Sequence, residues 1–225
     1  MSVAAIIPAA GSGVRMQSDT PKPFLMLGGR PILAHTLQAM EDCPEVDSVV
    51  VVIGADYVER CRREVVRKYN FKKVAQVVTG GRERQDSVYH GLKALPPGTE
   101  FVVVHDGARP LIAPSLIAQS VQEARQWKAV IVGLPLKDTI KEVSEDKFIL
   151  NTLKRQRLWA AQTPQTFSYE LFKSALEDAR KSNFMGTDEA SLVERLGHPV
   201  KMIPGTGFNL KITVPEDMAL AEALL

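Results

Sequence analysis

Val3-Ala4-Ala5-Ile6-Ile7-Pro8-Ala9-Ala10-Gly11-Ser12-Gly13-Val14-Arg15-Met16 begins as a short apolar run, stops at a proline and opens into small residues and glycine. A run that is apolar at consecutive positions reads as a strand covered on both faces. The small residues that follow let backbone N–H groups approach a ligand without Cβ collisions, as a phosphate cradle requires. Spacing excludes two common cradles: a dinucleotide fingerprint needs glycine where Met16 stands, and a Walker A loop needs Gly-Lys-Ser/Thr where Met16-Gln17-Ser18 stand. A tight structural turn would also use Gly11 and Gly13. Two cations close behind, Arg15 and Lys22, favour the cradle, and Pro21 and Pro23 on either side of Lys22 restrict the backbone that carries it.

Outward from this run, similar β-rich stretches recur at Val49 to Ile53, Val74 to Val78, Phe101 to Val104, Val130 to Leu134 and Val200 to Ile203. Between them the apolar residues fall at helical spacing, as in Ile32, Leu33, Thr36, Leu37 and Met40, then Val58, Cys61, Val65, Val66 and Tyr69, then Val88, Leu92 and Leu95. Alternation of this kind predicts an α/β, Rossmann-like fold: a mostly parallel twisted sheet with helices on both faces. Such sheets bind ligands at the carboxyl ends of their strands, which singles out the loops after Ile7, Val78 and Val104. Residues 137–155 break the pattern. They alternate polar and apolar residues around the polar turn Ser144-Glu145-Asp146-Lys147 and predict a protruding β-hairpin arm that packs on a second subunit. With no repeat and no low-complexity linker, residues 1–225 parse as one domain with this arm.

Composition narrows the function. The chain has 225 residues, 45% of them hydrophobic, enough for one large core. Its 28 basic and 26 acidic residues are interspersed and sum to +2, so no bulk field gathers nucleic acid or anionic membrane. No apolar stretch approaches the roughly 18 residues of a membrane span, and no basic region opens the chain, so an unprocessed soluble protein is expected. Cys43 and Cys61 lack other soft ligands nearby and make no disulfide framework, which points to a reducing cytoplasm.

Two further loops carry chemistry. Thr79-Gly80-Gly81-Arg82-Glu83-Arg84-Gln85-Asp86-Ser87-Val88 leads a glycine pair into a helix, where backbone groups can read a base edge; a helix entry also favours Gly and Ser on its own account. His105-Asp106-Gly107-Ala108-Arg109-Pro110 sets a carboxylate at the sheet's carboxyl edge, suited to hold Mg²⁺ together with substrate phosphates, and an arginine suited to grip an anion in two places. The plainer readings are a turn carboxylate for Asp106 and a surface ion pair for Arg109.

Pro8 to Met16 with Pro21-Lys22-Pro23-Phe24 resembles the signature of nucleotidyltransferases that activate sugars and sugar alcohols. With His105 to Pro110 and Gly80-Gly81, the resemblance narrows to the 2-C-methyl-D-erythritol 4-phosphate cytidylyltransferases of the non-mevalonate isoprenoid pathway and covers essentially the whole chain. Further matching stretches are Leu136 to Thr139, Lys154-Arg155 before Leu158-Trp159, Gln162 to Gln165, Thr187 to Ala190 and Asn209 to Thr213. The resemblance implies transfer of CMP from CTP to the 4-phosphate of 2-C-methyl-D-erythritol, giving 4-diphosphocytidyl-2-C-methyl-D-erythritol and pyrophosphate, with Mg²⁺ or another divalent cation. It implies that Ala9, Ala10, Gly11, Ser12, Gly13, Gly81 and Ser87 line the CTP site, and that Arg15, Lys22 and Lys211 surround the phosphates. Asp106 would coordinate the metal and touch the acceptor, with Arg109, Thr163 and Thr187 in the acceptor pocket. Thr139 and Arg155 would join from the arm of the partner in a homodimer. In this sequence Lys154-Arg155-Gln156-Arg157 carries two arginines in place of an isolated one; the distance to Leu158-Trp159 favours Arg155 over Arg157.

A ribitol-5-phosphate cytidylyltransferase shares the glycine loop and Asp-Gly-Ala-Arg, so acceptor and base identity come from the resemblance rather than from loop chemistry. A noncatalytic nucleotide-sensing module on the same fold is a third reading, which predicts lost cations, whereas Arg15, Lys22, Asp106 and Lys211 are all present. His35, His90 and His198 are expected to lie on helix faces or loops without partners, and His105 to orient its loop. Phe167, Leu171, Phe172 and Leu176 read as one helical core stripe, and Glu177-Asp178 as a solvated face.

Overall fold

The computed structural model describes residues 1–11, 16, 18 and 20–225. In chain order it contains β1 (Ser2–Pro8), β2 (Met26–Leu27), β3 (Arg30–Pro31), α1 (Ile32–Asp42), β4 (Ser48–Ile53) and α2 (Val58–Cys61), which runs on as a π-helix over Arg62–Arg67. There follow β5 (Val74–Thr79), α3 (Arg84–Lys93), β6 (Thr99–Val104), α4 (Pro114–Trp127) and β7 (Ala129–Pro135). The arm is β8 (Ile140–Val143) and β9 (Ile149–Leu153); then come β10 (Trp159–Ser168), α5 (Tyr169–Lys181), α6 (Glu189–Arg195), β11 (Lys201–Pro204) and α7 (Pro215–Ala223).

Among the described residues the main sheet has the order β11-β7-β10-β6-β1-β4-β5. The apolar runs read from sequence become its parallel strands, with β1 between β4 and β6. Their double coverage is visible in which side chains meet. Ile7, Val51 and Val103 pack with Leu33 and Leu37 of α1 and Ile117 and Val121 of α4. Ile6, Val52 and Val104 point the other way, to Val88 of α3 and Phe172 and Leu176 of α5. Successive Cβ atoms of a strand alternate faces, so a strand that is apolar at every position builds both cores at once.

β10 corrects the reading of the sequence. It lies between β6 and β7 and is antiparallel to both. Nothing apolar announces it, because Gln162, Thr163, Gln165 and Thr166 are buried polar residues. Pro164, in a cis peptide with Thr163, sits where pairing with β7 lapses between Ala161 and Gln165, the position in a central strand where a missing N–H is tolerated. Phe167 therefore belongs to this strand rather than to a helical stripe; it stacks 4.9 Å from Phe172 of α5, and only the latter shares a helix with Leu171 and Leu176. The predicted arm is present: β8 pairs antiparallel with β9, and Ser144 N–H donates to Phe148 O across the turn at 2.9 Å. It follows β7 and precedes β10 as a two-stranded sheet of its own, with Leu136 N–H donating to Leu158 O at 3.0 Å at its base.

The chain winds outward from β1 through β4 to β5 and then crosses back to place β6 on β1's other side. The crevice at the carboxyl ends of β1 and β6 is thus the switch point at which ligands enter such sheets. There Gly107 N–H donates to Pro8 O at 3.1 Å, and a Cβ on Gly107 would lie 3.2 Å from the Cβ of Ala9.

Candidate active site

Two adjoining cavities open over that crevice. The first, about 170 Å³, is walled by Ala9, Ala10 and Gly11 after β1, and by Gly81 and Ser87 at the start of α3. Lys22, Asp106 and Lys211 close it. The family resemblance implies all eight of these residues in the site, and the fold brings them together from five stretches of the chain. Ser12, Gly13 and Arg15 lie outside the described residues.

The loops are held by backbone bonds. Ala9 N–H donates to Val52 O at 2.7 Å and Gly80 N–H to Ile53 O at 2.8 Å, so both loops hang from β4. A Cβ on Gly80 would fall 2.5 Å from the Cβ of Ala10 and 2.9 Å from Oγ of Ser87, closer than side chains approach. Only glycine allows this contact. Ser87 Oγ accepts from Gly81 N–H at 3.1 Å and donates to Glu83 O, fixing the glycine pair to the first turn of α3.

Asp106 stands at the floor. Its Oδ1 accepts from Arg84 Nε and Nη2 at 3.2 and 2.9 Å, and its Oδ2 lies 2.7 Å from Lys211 Nζ and 4.0 Å from Arg109 Nε. Burial alone would raise its pKa; Arg84 and Lys211 outweigh burial and hold the carboxyl well below the usual carboxylate range. Lys22 Nζ donates to Ile212 O at 3.3 Å, beside Lys211.

The second cavity is lined by Arg109, Thr163 and Thr187 among others. Arg109 is not a surface ion pair: it is buried and donates through Nη1 to Asn209 O at 2.6 Å. Thr163 Oγ1 accepts from Asp106 N–H at 3.1 Å and meets His105 Nδ1 at 3.0 Å, while His105 Nε2 meets Arg109 O at 3.3 Å. His105 thus ties the Asp106 loop to β10. This chain assigns the neutral tautomer with Nε2–H as donor and Nδ1 as acceptor, and burial lowers the imidazole to about 4. The other histidines do have partners, each against a backbone carbonyl: His35 on Leu27, His90 on Thr79 and His198 on Pro199.

Thr139 and Arg155 are not brought to either cavity. Both are exposed on the arm, and Arg155 Nη1 donates to Lys137 O. Arg84 and Glu189 are the residues that sequence reasoning missed: Arg84 lines both cavities, and Glu189 lies buried behind it. Their only signal was position inside two motif stretches already singled out.

Among the described residues no group of three or more His, Cys, Asp or Glu could hold a metal. Asp106 offers a carboxylate at the cavity floor, which fits Mg²⁺ in the mode where one carboxylate is joined by substrate phosphates and water. No helix among the described residues is long and apolar enough to cross a membrane.

Comparison with known proteins identifies the family. Residues 3–225 match the sequence profile of the 2-C-methyl-D-erythritol 4-phosphate cytidylyltransferase family. Curated relatives of that name include one from Desulforamulus reducens, 46% identical over 100% of this chain and 96% of its own, and one from Pelotomaculum thermopropionicum, 48% identical over 99% and 94%. Among solved structures, the 4-diphosphocytidyl-2C-methyl-D-erythritol synthase of Anaerococcus prevotii superposes with a TM-score of 0.87 at 34% identity, covering 99% of this chain and 97% of the other. The 2-C-methyl-D-erythritol 4-phosphate cytidylyltransferase of Thermus thermophilus gives 0.81 at 34% identity, covering 100% and 98%.

Proposed function

The chain belongs to the 2-C-methyl-D-erythritol 4-phosphate cytidylyltransferase family, and we propose that its two joined cavities are where that chemistry takes place. The protein is a nucleotidyltransferase of isoprenoid precursor synthesis, transferring CMP from CTP to 2-C-methyl-D-erythritol 4-phosphate. The observation that carries the assignment of the site is the shared wall: Asp106, Arg84 and Lys211 border both cavities, as a site must where the reacting groups of two anions meet.

In this reading CTP occupies the first cavity, its base near Ala10, Gly81 and Ser87, and the acceptor the second, near Arg109, Thr163 and Thr187. A phosphate oxygen of the acceptor forms a bond to the α-phosphorus of CTP as the bridging bond to the β-phosphate breaks, and pyrophosphate leaves with the electron pair. The nucleophile is already an anion, so no general base is needed. The chain supplies positioning and charge neutralisation: Lys22 and Lys211 from the described residues, and Arg15 by resemblance. Asp106 would hold Mg²⁺, which when bound supplies further neutralisation of the phosphates.

We assign Thr139 and Arg155 to the acceptor pocket of a second copy, through arms that clasp in a homodimer. Support comes from the arm itself, where Phe148 is 73% and Ile149 63% exposed, apolar area that a single chain leaves in water. We place the reaction in the cytoplasm, in keeping with two unpaired, buried cysteines.

The test is to supply the protein with CTP, Mg²⁺ and either 2-C-methyl-D-erythritol 4-phosphate or ribitol 5-phosphate and to follow pyrophosphate. Release with the first alone is expected. Release only with ribitol 5-phosphate, or with neither, would overturn the reading.

A further inference from the structure

Arg84 stands between two carboxylates. Its Nη1 and Nη2 donate to Oε1 and Oε2 of Glu189, and its Nε and Nη2 donate to Oδ1 of Asp106. These four bonds occupy four of the five N–H groups a guanidinium has, leaving little with which to grip a third anion. The Glu189 side chain is 3% exposed and gives both oxygens to Arg84. Burial pushes its carboxyl up from the ordinary range and the Arg84 guanidinium opposes that shift, as expected for a buried charge that tolerates burial only when paired.

Glu189 cannot follow Arg84 outward, because its helix is pinned from the sheet. Gln165 of β10 accepts from Ala190 N–H through Oε1 at 2.9 Å and donates through Nε2 to Asp188 Oδ2 at 2.9 Å, while Asp188 Oδ1 caps α6 by accepting from Ser191 N–H at 3.0 Å. The guanidinium is therefore fixed from behind and takes only Oδ1 of Asp106. Oδ2 is left toward Lys211 and the cavities.

We propose that Arg84, anchored by Glu189, is a positioning residue for the transfer: it locks Asp106 in one orientation so that a single oxygen is presented where the two substrates meet. The inference rests on the reading of this site as the transferase centre. It gives a role to two residues that the motif stretches contained but did not single out, and it makes Arg84 act through Asp106 rather than on substrate.

The test compares Arg84→Met, Arg84→Lys, Glu189→Gln, the apolar double variant Arg84→Met/Glu189→Leu, and Asp106→Asn with and without Arg84→Met. Pyrophosphate release gives kcat and KM for each substrate, calorimetry without acceptor gives CTP affinity, and thermal unfolding gives Tm. Arg84→Met is expected to lower kcat about 10- to 100-fold, the range for removing the group that orients a functional ligand, with CTP affinity unchanged. Arg84→Lys should fail to restore activity, since an ammonium cannot bridge two carboxylates in a fork. In the Asp106→Asn background, Arg84→Met should cost little more, because residues that act through one another are not additive. Where Glu189→Gln folds poorly the apolar double variant replaces it, since exchanging a buried pair for packed apolar groups is often neutral for stability; it should be folded and slow. Wild-type kcat in folded Arg84→Met or in the double variant, a lowered Tm with unchanged kcat, or losses that multiply with Asp106→Asn would each overturn the proposal. A wild-type control inactive with both acceptors would instead overturn the reading of the site, and the inference with it.

Discussion

Lys211 Nζ lies 2.7 Å from Oδ2 of Asp106, so the segment before α7 supplies a cation to the carboxylate at the end of β6. The lysine is 39% exposed, and Asp106 keeps its two bonds from Arg84 when Lys211 is removed, so the pair adds little to folding. On the proposed assignment of the site, its value is charge held beside the phosphates. Lys211→Ala should lower kcat/KM about 10²-fold, by analogy with loss of one electrostatic donor, and leave Tm nearly unchanged; steady-state kinetics and calorimetry on one preparation check both halves.

Lys22 approaches the same place from the start of the chain, its Nζ on the carbonyl of Ile212. On the proposed assignment it stands beside the triphosphate, where a cation acts chiefly in the transition state. Lys22→Ala should therefore reduce kcat by about 10²-fold or more with a folded far-UV spectrum, and equal kcat and KM in variant and wild type would remove Lys22 from this role.

Gly80 is where two loops touch. A methyl group there would overlap Ala10 Cβ, which is fixed to its backbone two residues past β1, and Ser87, which stands in the first turn of α3. Gly80→Ala should part the loops of the first cavity and raise KM for CTP while KM for the acceptor stays near its wild-type value. Titration with each substrate in turn separates the two.

The arm offers Phe148 and Ile149 to solvent. Ile149→Asp should turn a dimer into a monomer by sedimentation velocity and abolish turnover with little change in the Tm of the protomer, because β8 and β9 form their own two-stranded sheet away from the core. A monomeric wild type would refute the shared site.

His105 makes stability depend on pH. Its native imidazole is lowered to about 4 from the ordinary 6.5 by burial. On lowering the pH, the unfolded chain binds this proton below 6.5 and the native state only near 4, so the contribution is complete above 6.5 and is lost across that window. The whole step is about 3 kcal/mol at most. Urea unfolding in EDTA at pH 7 and pH 5 should show the loss, and His105→Gln should flatten it.

Much of the fold was legible because its signal is local. Val49 to Ile53 is apolar at every position, and only a strand buried on both faces uses such a run. The turn at Ser144 to Lys147 announced the arm in the same way, through residues adjacent in the chain. β10 was hidden because its buried polar residues are satisfied from elsewhere: Gln165 by Asp188 and Ala190, Thr166 by Ser120, Thr163 by His105 and Asp106. A buried polar side chain reads as surface until its partner is known.

The site divides along the same line. The sequence by itself singled out the glycine loop after β1, the pair Gly80-Gly81, the carboxylate at Asp106 and the cation Lys22, because each stands at a strand end or in a short motif whose spacing carries meaning; Lys211 came from the family resemblance. Tertiary structure alone decided which charge faces which. Arg84 and Glu189 are 105 residues apart, and whether a guanidinium turns to a buried carboxylate, a phosphate or water depends on where the crossovers set α3 and α6. Coulomb energy and hydrogen-bond geometry act over a few ångströms of space, a distance that only the folded chain defines.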